Sequence, residues 1–151
     1  MVRGVLSSIA WAALVASAAP AAAQQAATLK ASQSQQHGAY LTDADGRSLY
    51  LFEADAQGQG ETQAESTCRD ACAEAWPPLL SEGEPQAGEG LDAALIAAID
   101  RGDGQMQVTY NGWPLYYYAK DANPGDVTGH DIEDFGAEWY LLTPAGEKAE
   151  D

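Results

Sequence analysis

Asp45-Gly46-Arg47-Ser48-Leu49-Tyr50-Leu51-Phe52-Glu53-Ala54-Asp55 and Asn111-Gly112-Trp113-Pro114-Leu115-Tyr116-Tyr117-Tyr118-Ala119-Lys120-Asp121 share one skeleton, [DN]-G-x-x-L-Y-x-[FY]-x-x-D, 66 positions apart. A second pair of segments, Ala73-Glu74-Ala75-Trp76 and Gly136-Ala137-Glu138-Trp139, repeats 63 positions apart. Two half-domains related by duplication account for both matches, with a three-residue difference in spacing. Each half reads as a hairpin. In the first, residues 39–42 run into an Asp43-Ala44-Asp45-Gly46 turn and residues 49–52 return. In the second, residues 108–110 enter Asn111-Gly112, a strong hairpin signal because both residues tolerate positive φ, and residues 115–118 return. Side chains alternate faces along a strand. Tyr50 and Phe52 therefore share one face, as do Tyr116 and Tyr118, while Leu49 and Leu51 point the other way.

Between the halves, Thr67-Cys68-Arg69-Asp70 resembles a capping box and predicts a short helix to about Trp76, stopped by Pro77-Pro78. Residues 83–90 form a polar Gly/Glu loop. Residues 91–101 predict a helical turn followed by a strand through Ile99, because Gly102-Asp103-Gly104 then turns the chain into 105–110. A last strand over 139–142 ends at Thr143-Pro144-Ala145-Gly146. The expected fold is mainly β: a duplicated antiparallel hairpin or sheet repeat with a pseudo-two-fold and one or two short helices. The domain is expected over 38–146, with half-repeats at about 38–83 and 104–146. Trp76, Trp113 and Trp139 are the expected core anchors.

The charge narrows the class of partner. Among 151 residues there are 23 Asp+Glu against 7 Lys+Arg, a net charge of −16. Nucleic acid is thereby excluded as a partner, since a phosphate backbone needs Lys and Arg to neutralise it. Only 2 Cys are present, too few for a Cys-rich zinc module or a disulfide-dense mini-protein. At the N-terminus, Arg3, the apolar run over 5–17 and Ala21-Ala22-Ala23 read as a cleaved signal peptide over 1–23. Its removal takes one base and no acid, leaves no stable membrane anchor, and places the product in the periplasm or outside the cell. Residues 24–37, rich in Ala, Gln and Ser, are expected to be a flexible tether, and 147–151 a frayed acidic tail.

The chain resembles the secreted-repeat family of predicted lipoproteins that share a Y-x-[FWY]-x-x-D motif. Tyr50 to Asp55 and Tyr116 to Asp121 both fit it. So do C-x3-C-A-x-x-W-P-P-L from Cys68 to Leu79, Q-V-T-Y-N-G-x-P-L-Y from Gln107 to Tyr116, G-D-x-x-G from Gly125 to Gly129, and Trp139-Tyr140-Leu141-Leu142. The resemblance implies an extracytoplasmic repeat and supplies no activity. Two departures stand out: there is no lipobox Cys, and His130 stands where the family usually has no His.

Three sets of residues are candidates for chemistry. Cys68 and Cys72, at i,i+4 on a helix, would lie about 6 Å apart at Cα, within disulfide reach, and in an oxidising compartment the plain reading is a structural bridge. The alternatives are a thiol–disulfide exchange pair, or a soft copper set of Cys68, Cys72, Met106 and His130, with His37 also able to approach. Tyr50, Phe52, Asp55, Tyr116, Tyr118 and Asp121 form the second set. They either pack the core and cap loops, or line two facing pockets suited to a cationic or aromatic ligand. The acidic turns at 43–46 and 121–126 do not complete a calcium-loop pattern and read as turn chemistry. No G-x-S-x-G, H-E-x-x-H or phosphate-binding glycine loop is present, so enzyme chemistry is not expected. The expected function is an exported, acidic, non-enzymatic β-repeat module of the cell envelope that binds a small ligand or an envelope protein and carries no cofactor. The alternative is a periplasmic redox or copper-handling protein built on Cys68 and Cys72.

Overall fold

Alternation along one short strand divides the interior into two cores. β3 (Tyr50–Phe52) is buried on both faces. Tyr50 and Phe52 enter a cluster with Cys68, Cys72, Trp76, Tyr116, Tyr118, Trp139 and Leu141. Leu49 and Leu51 enter a second cluster with Leu29, Leu41, Leu79, Val108, Tyr110, Leu115 and Leu142. The faces are those expected from the sequence. The computed structural model describes residues 25–150; the expected signal peptide, 1–23, lies outside them.

The fold is mainly β, with the duplicated arrangement visible in its sheets. β1 (Thr28–Ser34) and β2 (Gly38–Asp43) are antiparallel, and β4 (Gln86–Ala87) joins β1 in parallel. The counterparts of β1 and β2 in the second half are β5 (Ile96–Asp100) and β6 (Met106–Tyr110), also antiparallel, and β7 (Trp113–Pro114) lies beside β6. Asn111 and Gly112 adopt φ 49° and 77°, the positive values that the Asn-Gly turn requires. A 3₁₀ turn at Ala93–Leu95 precedes β5, capped by the Asp92 carboxylate, as the 91–101 pattern predicted.

Four expectations are corrected. Within the stretch 24–37 expected as a tether, β1 occupies 28–34 and pairs with β2 from Leu29 to Ser34. Only Leu29 of β1 is buried, so its order comes from backbone pairing rather than an apolar pattern. The tail is anchored too. The Ala149 amide donates to the Leu141 carbonyl, Ala149 is buried, and Lys148 Nζ lies 2.8 Å from Glu53 Oε1. The helix α1 is shorter than expected, Ala71–Ala75, with Asp70 at its N-cap and no side-chain cap bond. Trp113 is only partly buried.

The first hairpin also differs from a simple return. It holds next to its turn, where Thr42 bridges Ser48 and the Leu49 amide donates to Leu41, and then β3 leaves β2. β3 pairs instead with β9 (Ala137–Leu141), which pairs with β8 (Ile132–Asp134). The second half mirrors this exchange: Tyr116 bridges Pro78, and the Tyr117 amide donates to Pro77. Each motif strand is thus completed by the segment around or following the Trp of the other half.

Candidate functional site

Tyr50 and Tyr116 occupy equivalent positions in the two halves and exchange both backbone hydrogen bonds. The Tyr50 amide lies 2.8 Å from the Tyr116 carbonyl and the Tyr116 amide 3.0 Å from the Tyr50 carbonyl. The pseudo-two-fold passes between them. Their side chains cross it. The Tyr50 hydroxyl donates to Asp121 Oδ2 at 2.6 Å, and the Tyr116 hydroxyl to Asp55 Oδ2 at 2.6 Å. The other oxygen of each carboxylate accepts twice from a threonine of its own half. Thr67 gives its amide and hydroxyl to Asp55, and Thr128 gives its amide and hydroxyl to Asp121. Thr67, which resembled a helix cap, serves this clasp instead.

The rings interleave in the same way. Phe52, Trp139, Trp76 and Tyr118 form one column, each neighbouring pair with centroids 4.0 Å apart and ring planes within 18° of parallel. The order alternates between halves and reads the same from either end, with the two tryptophans at the centre. Tyr50 and Tyr116 meet the column edge-on, against Trp76 and Trp139 respectively. Gly129 leaves room for it: a Cβ there would come within 2.8 Å of the Trp76 ring.

The two clasps are chemically unequal. Asp55 is buried, whereas Asp121 is partly exposed. Arg101, in the turn between β5 and β6, is buried beside the first clasp. It donates from Nη1 to Ser66 Oγ at 2.7 Å and to Gln107 Oε1, and from Nη2 to the Cys68 carbonyl at 2.7 Å. Ser66 Oγ lies 2.6 Å from the Tyr116 hydroxyl. Since Tyr116 gives its proton to Asp55, Ser66 donates, and a relay runs from Arg101 through Ser66 and Tyr116 to Asp55. In the second clasp the Gly129 amide donates to the Tyr50 hydroxyl. Arg101 was not expected as a site residue; its Arg-Gly-Asp-Gly setting reads as a solvated turn.

Burial dominates the acid–base behaviour. It pushes both clasp phenols well above their ordinary range, with the partner carboxylates adding to the shift. Burial also raises the Asp55 carboxyl, against the Tyr116 and Thr67 bonds and the Arg101 charge, which favour the ionised form. A carboxyl raised on folding contributes stability that is full below its unfolded pKa and is lost as pH rises through its folded value. In urea titrations, wild type is therefore expected to gain stability relative to Asp55→Asn as pH falls from neutrality towards about 4. A difference that shrinks over that interval would contradict the assigned cause.

The structure brings the six motif residues together as a closed interlock. Tyr50, Phe52, Tyr116 and Tyr118 are at most 5% exposed, and the hydroxyls of Tyr50 and Tyr116 are spent on the opposite carboxylates. Cys68 and Cys72 are joined in a disulfide with Cα atoms 5.2 Å apart, both buried. So short a loop constrains the unfolded chain by about 2 kcal/mol on the entropy model. Cys68→Ala/Cys72→Ala is accordingly expected to fold and to lose about that much in urea unfolding. A chain that fails to fold would assign the bridge a larger role. His130 lies against His37, with ring centroids 4.5 Å apart, and its Nδ1 accepts from the Leu141 amide. Met106 is on β6 and 40% exposed. Among the described residues, no group of three or more His, Cys, Asp or Glu side chains is placed to hold a metal ion.

A family model described as a secreted repeat of unknown function matches residues 32–80 and 97–143, one match per half. No curated protein and no solved structure matches the chain. No helix among the described residues is long and apolar enough to cross a membrane.

Proposed function

Because this chain belongs to the secreted-repeat family of unknown function, we propose that it works as an exported, non-enzymatic interaction module of the cell envelope. One observation carries the reading: the motif that defines each repeat is consumed in joining the halves. The Tyr50–Asp121 and Tyr116–Asp55 bonds and the four-ring column leave the motif no open aromatic wall or unengaged carboxylate for a substrate. What the interlock provides is a rigid body whose outer loops and strand edges are presented to partners. The leader supports export, and the buried disulfide suits an oxidising compartment.

Redox or copper chemistry at Cys68 and Cys72 would need that buried bridge to open. Crosslinking in intact envelopes separates the two readings. Wild type and Cys68→Ala/Cys72→Ala are expected to give the same crosslinked species in comparable yield. Loss of that species in a variant that still folds, with stoichiometric copper on the wild type, would favour the cysteine chemistry.

A further inference from the structure

Where the second core reaches the surface it opens into a trough. Two cavities of about 580 and 570 Å³ share Ser81, Glu82 and Met106 in their linings, so they adjoin. Ile96, Ala98 and Met106 supply the floor. The β5–β6 register puts Ile96 opposite Tyr110, Ala98 opposite Val108 and Asp100 opposite Met106, so these side chains share one sheet face. Residues 81–85 form the facing wall, and Leu80, 37% exposed, lines the adjoining cavity.

β5 borders this trough and is an edge strand, paired with β6 alone among the described strands. The Arg101 amide bonds to the Gln105 carbonyl and the Leu95 carbonyl accepts from the Asn111 amide, so the odd-numbered residues face β6. The backbone N–H and C=O groups of Ile96, Ala98 and Asp100 therefore point outward, as a template for another strand. The charge around the edge has one sign. Glu82 and Glu84 line the trough, and Asp100 and Asp103 lie in the adjoining turn, all exposed. The one base nearby, Arg101, is turned inward onto Ser66, Gln107 and the Cys68 carbonyl.

We propose that this trough binds an extended cationic segment of a partner protein, in which apolar and basic residues alternate. The segment adds to β5 as a further strand. Its basic side chains lie on the trough face, their aliphatic stems over Ile96 and Ala98 and their charges towards Glu82 and Glu84, while its apolar side chains lie beside Ala97 and Ile99 on the other face. A second copy of this chain is the poorer occupant, because its own edge would bring like charge against the acidic rim. The inference rests on the reading of the chain as an interaction module and names the chemistry of its partner.

The test uses the purified exported protein and three fluorescent eight-residue peptides, each capped at both ends: alternating Val-Lys, alternating Gly-Lys and alternating Val-Glu. The Val-Lys peptide is expected to bind saturably, at least ~10-fold tighter than the equally charged Gly-Lys peptide, with no binding by Val-Glu. Glu82→Lys/Glu84→Lys alters exposed side chains only. Ala98→Pro removes an outward N–H and leaves the bonds to β6 intact. Each is expected to weaken Val-Lys binding by ~10-fold or more while the circular dichroism spectrum is unchanged. Equal binding of the Gly-Lys and Val-Lys peptides overturns the proposal, as does undiminished Val-Lys binding by Glu82→Lys/Glu84→Lys. Either result leaves the crosslinking outcome, and with it the broader reading, standing.

Discussion

Asp55→Ala is expected to destabilise the protein by about 3–5 kcal/mol, enough to make it one of its most damaging single substitutions. The carboxylate receives three bonds, from the Tyr116 hydroxyl and from the amide and hydroxyl of Thr67. Alanine removes the acceptor and leaves those donors in the interior, with the Arg101 guanidinium at the end of the same relay. Unmade bonds of buried donors carry the full desolvation penalty. The pseudo-equivalent Asp121→Ala removes the same number of side-chain and backbone donations from Tyr50 and Thr128, yet Asp121 is partly exposed. Water can replace its partners there, and the expected loss is about 1–2 kcal/mol. Urea unfolding of the two variants checks this asymmetry. Equal losses would mean that burial does not set the strength of the two clasps.

Trp76→Ala carries the second large effect. Trp76 is fully buried and stacks on Trp139 and Tyr118, one face on each, while Tyr50 meets it edge-on. Truncation removes the centre of the column and leaves a void that the neighbouring strands, held by the β3–β9 ladder, cannot fill. The expected cost is about 3–5 kcal/mol, or ~10 °C or more in Tm by scanning calorimetry. Trp76→Phe keeps a ring in the column and should lose less. If Trp76→Ala melts within ~3 °C of wild type, the column is not what holds the halves together.

Much of this arrangement is legible in the sequence. The duplicated motif was visible because its residues are core residues, whose identity is restrained by packing. The two-residue spacing of Tyr50 and Phe52 fixed their common face. The exchange of segments between halves was not legible, because periodicity says which face of a strand is apolar and nothing about which edge it will meet. The pairing of Asp with Thr was hidden as well, because Thr67 follows Asp55 by 12 residues and Thr128 follows Asp121 by 7, so no common spacing marks it. β1 was missed because six of its seven residues are not buried, so its sequence resembles that of a linker. Arg101 was missed for the opposite reason: a residue type that normally seeks water opens the Gly102-Asp103-Gly104 turn after β5 and folds inward.

The acidity also acquires a sharper role. The excess negative charge is spread over turns and loops, and at one edge, beside β5, it borders exposed apolar surface. At that edge the outward backbone groups of β5, exposed apolar surface and acidic side chains lie together. The disulfide, by contrast, lies beside Arg101 at the margin of the aromatic core, with both of its cysteines buried.

The central claim is that the two repeats form one interleaved folding unit, because each completes the strands and the ring column of the other. Equilibrium urea unfolding, followed at once by tryptophan fluorescence and far-ultraviolet circular dichroism, tests it most directly. The predicted result is a single transition with coincident midpoints by both probes. Two resolved transitions, with the fluorescence of the Trp76–Trp139 stack lost while sheet structure persists, would contradict it.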